Sequence, residues 1–598
     1  MPEPSRFTFD GSVDLETYQH DWQAKLKQLQ NDLEILKLFD GVPSADDWGV
    51  HFDKLNMGAI EGRNTASVFK KVHPNKAFRD DAMVAQSGFE NLTSAIEKDP
   101  ILASLVQRMV FVDPGVNSHE QRFTQRWQTT YKESGATMSQ DKRSQLLSLD
   151  SDLADLRSQF ARNIDDGQTN WLVPADDLAG MPEDFMKSHP ANEDNQITLT
   201  TRKIDVCPVL AYCKNDEVRR RTQHEYRSRC PGRLALRGLS NVTDFIDNVV
   251  AMVKPQAHQE KQAMSQVFGT KDLKVWQADF AKEVLLQKMF SGFDSSHIRP
   301  YLWVGNVLPQ ITLLIQELFG VQFKHQPEVK SWVDTGLHPR DNKYSHACVC
   351  IMKKAYGKSN LPEVILLANI PEGDDTLMTY AEVSTLYHEL RYCFQRYGHV
   401  VHSLSATQSL YGNLNDTTVE RDFVEAPPEV LRRLAINKNG EVIPDEMIRK
   451  LQESQEIGSS MDTITQMTYA RAKEMLDGKY PGSLLDDWKD LVNEHSIFSY
   501  NEGDCFPATF SHLGMTGYGP KYYGYMYAQA ICDELFETFK ACPGGLLDKE
   551  MSRRYRRTIL EPGSTKDAME MVAEFLGRPF TLDAFKAWIS RNLDLGAI

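Results

Sequence analysis

Between Ser139 and Ile164 the apolar residues Leu146, Leu149, Leu153, Leu156, Phe160 and Ile164 return every three or four positions. On a backbone turning once every 3.6 residues or so, that spacing draws one continuous stripe, and such stripes are buried against other helices. The spacing predicts a helix over 139–164. It spans fewer than four heptads, so a core helix fits better than a coiled coil. Glu16 to Phe39 repeats the pattern through Trp22, Leu26, Leu29, Leu33, Leu36 and Leu38. Val72 to Ala82 breaks at Pro74 and resumes as helix. Two further helical stretches are Ile298–Phe323, with Pro309 read as a tolerated first-turn proline, and the single tract Asp445–Leu476. The arginine-rich run around Arg219, Arg220 and Arg221 reads as a helix with a solvated, ion-paired face. Strand-like alternation is confined to Ile197–Ile204, Ala347–Met352 and Val364–Ile370. The fold class is therefore mainly α with a small β-sheet.

Charge narrows the partners. A net charge of −16 over 598 residues argues against a nucleic-acid or anionic-membrane surface, both of which need clustered Lys and Arg. No run of about 18 apolar residues is present, so no membrane-spanning helix is expected. The nine cysteines include no CxxC pair, and their odd number points to reduced thiols in a cytoplasmic setting. Without repeats or a low-complexity linker, the chain reads as one unit, 1–598, approximated as an N-terminal helical lobe 1–240 and a catalytic lobe 241–598.

The chemistry concentrates between Tyr387 and Glu425. A zinc helix of the H-E-x-x-H type sets two histidines one turn apart on one face, with a glutamate between them to act on water. Here His388 and Glu389 open the pattern, but Tyr392 stands where the second histidine belongs. A phenol must ionise to bind zinc, and its reference pKa is about 10. Removing Arg391 to Tyr397 restores H-E-L-G-H-V-V-H across His388, Glu389, His399 and His402. A downstream acid is then needed, and Asp422-Phe423-Val424-Glu425 supplies one.

The restored string, followed by DFVEAPPE, resembles the thimet oligopeptidase family (thimet oligopeptidase, neurolysin, saccharolysin and oligopeptidase A), a group of zinc metallopeptidases. The resemblance implies His388, His399 and Glu425 as ligands of one Zn2+ ion and Glu389 as general base. FSHLGMTGYGPKYYGYMYAQAICDELF, from Phe510 to Phe536, is similar to the family's H-x-x-G-G-Y-x-x-x-Y-Y-x-Y segment. It implies His512, Tyr522 and Tyr525 in oxyanion stabilisation and Tyr518 in substrate binding, although the interval from His512 to Tyr518 is one residue longer. The EVILLANI segment, with Asn369 as a substrate-binding residue, corresponds to a strand that pairs with extended peptide. The family fold is a two-lobed helical metallopeptidase with a deep central channel and a small β-sheet near the active site. It implies a cytoplasmic monomer acting on short unstructured peptides, with no nucleic acid or membrane as partner.

The seven inserted residues decide what this implication is worth. In an unbroken helix His388 and His399 stay within roughly 20° of one another but lie roughly 16 Å apart along the axis. Zinc holds each nitrogen at about 2.0 to 2.1 Å, so residues 391–397 must leave the helix, with Gly398 as one hinge, for both to bind. If they do not, the chain is a pseudopeptidase that binds peptides without cleaving them. His399 and His402, three apart, form a partial alternative without a glutamate between them. Both readings stay open on the sequence.

Overall fold

A computed structural model describes residues 13–111, 119–166, 169–228, 243–290, 295–324, 348–356, 360–370, 373–380, 382–383, 399–415, 435–476, 484–510 and 522–589. The chain divides into two compact units, each drawn from three separate stretches. The first takes Met1–Leu147, Ile298–Pro444 and Ala528–Leu582, and the second takes Ser148–His297, Asp445–Tyr527 and Asp583–Ile598. The boundary expected near residue 240 falls among residues outside the described ones.

In the first unit, Asp14 caps the helix Leu15–Lys37 by accepting the Thr17 amide. Trp22, Leu29 and Leu33 are buried as the stripe requires. Leu38 is not: it lies past the helix end and is 81% exposed. The helices Val50–Val72 and Lys76–Lys98 are separated by the His73-Pro74 break, and Asn75 caps the second one. Their packing is close enough that a Cβ on Gly62 would sit 2.4 Å from the Phe89 ring. Phe89 belongs to a core shared with Tyr18, Trp22, Phe52, Phe123 and Trp127. Phe89→Ala is expected to lower unfolding stability by about 3–5 kcal/mol, read by denaturant titration, because the rigid helices cannot close over the void.

The same unit carries the second sheet. Strand β3 (Cys348–Lys353) pairs antiparallel with β4 (Glu363–Leu367), placing Cys350 opposite Ile365. The helix Val304–Phe319 ends at Gly320 in the left-handed conformation, with φ of 64°. Pro309 is its sixth residue, not a first-turn proline, so the carbonyl one turn earlier loses its intrahelical donor.

The second unit opens with the other sheet, β1 (Asn170–Pro174) paired antiparallel to β2 (Gln196–Thr200). The strand expected over 197–204 therefore stops at Thr200, and Lys203–Tyr212 is helix. Asn170–Pro174 had not been anticipated as a strand. The Asp445–Leu476 tract is two helices, Asp445–Glu456 and Ser459–Leu476. They part at Gly458, whose φ of 86° a side chain would strain. The helix Thr243–Phe268 packs along Ser459–Leu476. Its buried Glu260 accepts the Met461 amide at 3.1 Å, satisfying a free donor at the start of that helix.

Charge patterning misled at Arg219. On the helix Asp216–Arg227, Arg220 is exposed and paired with Glu217 as expected, but Arg219 is buried. Its guanidinium lies 4.2 Å from the centre of the Phe280 ring and donates to the Cys213 carbonyl and to Asp216. The helix expected over 139–164 is present as Gln140–Asp166, yet Leu149 and Leu156 are 59% and 41% exposed. Cys207, Cys213, Cys350, Cys532 and Cys542 are free thiols, whereas Cys505 is disulfide-bonded, which departs from the expectation of reduced thiols throughout.

Candidate active site

The site residues fall in both units and are described unit by unit. In the first, the helix His399–Ser405 packs on β3, on β4 and on the turn Arg556–Leu560. Three of its residues, His402, Ser403 and Ser405, are buried. The backbone thus sets His399 at the helical position one turn before His402 and Ser403. The side chain of His399 is outside the description, and so are residues 384–398 and 416–434, with His388, Glu389 and Glu425. Asn369 follows β4 by two residues and is half-buried.

Beyond Ser405 the chain enters a segment held by buried polar contacts. Asn415 accepts the Ser409 amide at 3.0 Å and donates to the carbonyls of Ser409 and Ala355, each at 2.8 Å. The Tyr411 hydroxyl donates to the Ala45 carbonyl at 2.9 Å, and its ring stacks on Phe123 with centroids 4.2 Å apart. Each of these groups would cost free energy if buried without a partner, so together they admit one path for the chain. None of these residues had been singled out from the sequence, since each is a lone polar or aromatic residue with no periodic neighbour.

In the second unit, Tyr522 precedes the helix Gly524–Lys540, on which Tyr525 stands. Tyr522 packs edge-on against Phe510 with centroids 5.0 Å apart, beside Tyr469, Phe506 and Trp488. Arg227 completes the group, lying 4.4 Å from the centre of the Phe506 ring and donating to the Tyr469 hydroxyl at 2.8 Å. The Tyr522 hydroxyl donates to Gln466 Oε1 at 2.6 Å. A phenol has one proton, so in this arrangement it is committed to Gln466. With the Gln466 amide turned over, its NH2 group would donate instead and release that proton for another acceptor. Residues 511–521, including His512 and Tyr518, and the side chain of Tyr525 are outside the description. Among the described residues no group of three or more His, Cys, Asp or Glu is arranged to hold a metal ion. The donor set from the sequence, two imidazoles and one carboxylate, is of the type that suits zinc with an open fourth position.

Comparison with known proteins places the chain in a class. The fold is that of helical peptidases: a solved structure titled PZ peptidase A with inhibitor 2 superposes with a TM-score of 0.53 at 12% identity, covering 96% of each chain. The model of peptidase family M3 matches residues 239–590. The chain belongs to peptidase family M3. Among curated relatives, it is 22% identical over 557 residues to the thimet-like oligopeptidase of Dictyostelium discoideum, covering 78% of this chain and 81% of that one. It is also 22% identical over 611 residues to the human mitochondrial intermediate peptidase, covering 91% of this chain and 84% of the other. The resemblance drawn from the motif strings thus holds at the level of the family, and the mainly helical fold with small antiparallel sheets is as expected. Among the described residues no helix is long and apolar enough to cross a membrane.

Proposed function

We propose that this chain is a zinc-dependent oligopeptidase that hydrolyses internal bonds of short unstructured peptides. The observation that carries the reading is that the family match, residues 239–590, encloses all of His388, Glu389, His399, Glu425, Asn369, His512, Tyr518, Tyr522 and Tyr525. His388, His399 and Glu425 would hold the ion, which when bound supplies a Lewis acid and an acidified water. Glu389 takes the proton of the attacking water and delivers it to the leaving amine nitrogen. His512, Tyr522 and Tyr525 donate hydrogen bonds to the oxygen that gains charge as the carbonyl carbon becomes tetrahedral. Tyr518 and Asn369 hold the peptide backbone. For Tyr522 this role requires the inverted Gln466 amide, which frees the phenolic proton. The proposal also covers a single peptidase unit with an approximate N-terminal helical lobe 1–240 and a catalytic lobe 241–598. It further covers a cytoplasmic monomer with no nucleic-acid or membrane partner.

Internally quenched peptides test it. Cleavage is expected, abolished by a metal chelator and restored by added zinc. Cleavage that ignores the chelator, or none with zinc bound, rejects the reading. A second reading rests on the spacing of the motif: seven residues separate the two halves of the zinc helix, and a chain that keeps them helical binds peptides without hydrolysis.

A further inference from the structure

We propose that Gln466 is a positioning residue for Tyr522. The orientation of its side-chain amide decides whether the Tyr522 phenol keeps its proton within the protein or offers it to the reacting carbonyl. The inference rests on the oligopeptidase reading above and adds to it a residue that lies outside the motif strings.

Gln466 stands half-buried on the helix Ser459–Leu476. One turn further along the same face, Tyr469 stacks on Phe506 with centroids 4.1 Å apart, and Phe506 stacks on Phe510 at 4.9 Å. Phe510 in turn meets the edge-on ring of Tyr522. The helix that carries Gln466 therefore also anchors the aromatic cluster on which the Tyr522 ring rests. With the ring held there, its hydroxyl lies 2.6 Å from Gln466 Oε1. That separation suits an O–H···O bond and is short for N–H···O, whose usual range is about 2.7–3.2 Å. The structure thus holds Tyr522 in the setting that commits its proton to Gln466. A half-turn of the amide about its last torsion reverses the bond: Nε2 donates to the phenolic oxygen, and the phenolic proton is released to another acceptor. That torsion is broad and roughly two-fold, so the amide can turn while the ring stays in place. A donor on the phenolic oxygen also strengthens the phenol as a donor in its turn. An amide alone offers both settings without charge. A carboxylate at this position could only accept, and an alkyl group could do neither.

Gln466→Glu, Gln466→Leu and Tyr522→Phe test this in the full chain, together with each Gln466 variant combined with Tyr522→Phe. The readouts are kcat and KM for a quenched peptide, measured separately. Tyr522→Phe should lower kcat on the order of 10²-fold, as loss of one oxyanion donor does. Gln466→Glu keeps the shape of the side chain but leaves an obligate acceptor, so kcat should fall nearly as far, with KM little changed. Gln466→Leu leaves the phenol unheld but does not capture its proton, and should cost roughly tenfold, less than Gln466→Glu. A packing role alone predicts the opposite order, because Glu is the closer match in shape. In the Tyr522→Phe background neither Gln466 variant should change kcat by more than about twofold, since the residue acts through the phenol. Should Gln466→Glu fail to fold, Gln466→Leu and its combination with Tyr522→Phe read the same coupling. A Gln466→Glu chain at the parent rate, a larger loss in Gln466→Leu, or equal losses with and without the Tyr522 hydroxyl overturns the positioning role alone. Tyr522→Phe at the parent rate removes Tyr522 from the reaction and the role of Gln466 with it. A parent chain that cleaves no peptide with zinc bound overturns the oligopeptidase reading itself.

Discussion

Replacing Glu389 with glutamine should lower kcat for peptide cleavage by about 10²–10⁴-fold while one zinc ion per chain is retained. The substitution exchanges a carboxylate for an amide of nearly the same shape, so peptide binding and local packing are preserved. An amide nitrogen and oxygen cannot take a proton from water at neutral pH, and the step that needs a base is left without one. In barrier terms that loss is roughly 3–5.5 kcal/mol, at about 1.36 kcal/mol per decade of rate. Because the interaction is made only as the proton moves, KM should change little and kcat/KM should fall with kcat. The contrasting variant is His399→Ala, which removes a proposed ligand and should lose the metal together with the activity. Steady-state assays with a quenched peptide, paired with metal analysis, separate the two. A Glu389→Gln chain that retains full rate places the base elsewhere. A chain that sheds its zinc makes Glu389 a ligand or a structural support.

How far this could be read from the sequence differs by kind of signal. Helices with sustained periodicity were legible, because the 3.6-residue repeat is a local property: Leu15–Lys37 and Gln140–Asp166 lie within two residues of their expected ends. Periodicity names a face but not what covers it, so exposed Leu149 and Leu156 were read as core. Likewise, a run of three arginines does not reveal which of them turns inward, and only Arg219 meets Phe280. Gly458 divides a tract of good helix formers, and a lone glycine there is a weak signal until its positive φ is seen. The family resemblance was legible for the opposite reason: the residues that carry it lie close together in sequence, so even an interrupted string retains its order. Contacts between distant residues are another matter: Asp53 to Gly412 and Tyr522 to Gln466 span 359 and 56 positions. No short pattern announces such pairs. They depend on how whole helices pack.

Excision of residues 391–397 should tighten zinc binding by about 30–150-fold, corresponding to roughly 2–3 kcal/mol at 1.4 kcal/mol per decade, and raise the peptidase rate at limiting zinc. The argument is one of reach. With the segment removed, His388 and His399 become i and i+4 neighbours, about 6 Å apart along the axis and on one face, where a regular helix presents both to a single ion. With the segment present, both can bind only if Arg391 to Tyr397 is extruded, and RYCFQRY contains no Gly or Pro to favour that path. Part of the binding free energy of the metal, on the order of 10 kcal/mol for a structural zinc site, then goes into distorting the helix. Metal titration of parent and deletion, each assayed with the same quenched peptide, gives three separable results. One zinc in both, tighter in the deletion, supports a parent enzyme working against the strain of its own insertion. Zinc in the deletion alone makes the parent a peptide-binding chain whose catalytic turn has been pulled apart. Zinc in neither removes His388 and His399 as partners, whatever their order in the sequence.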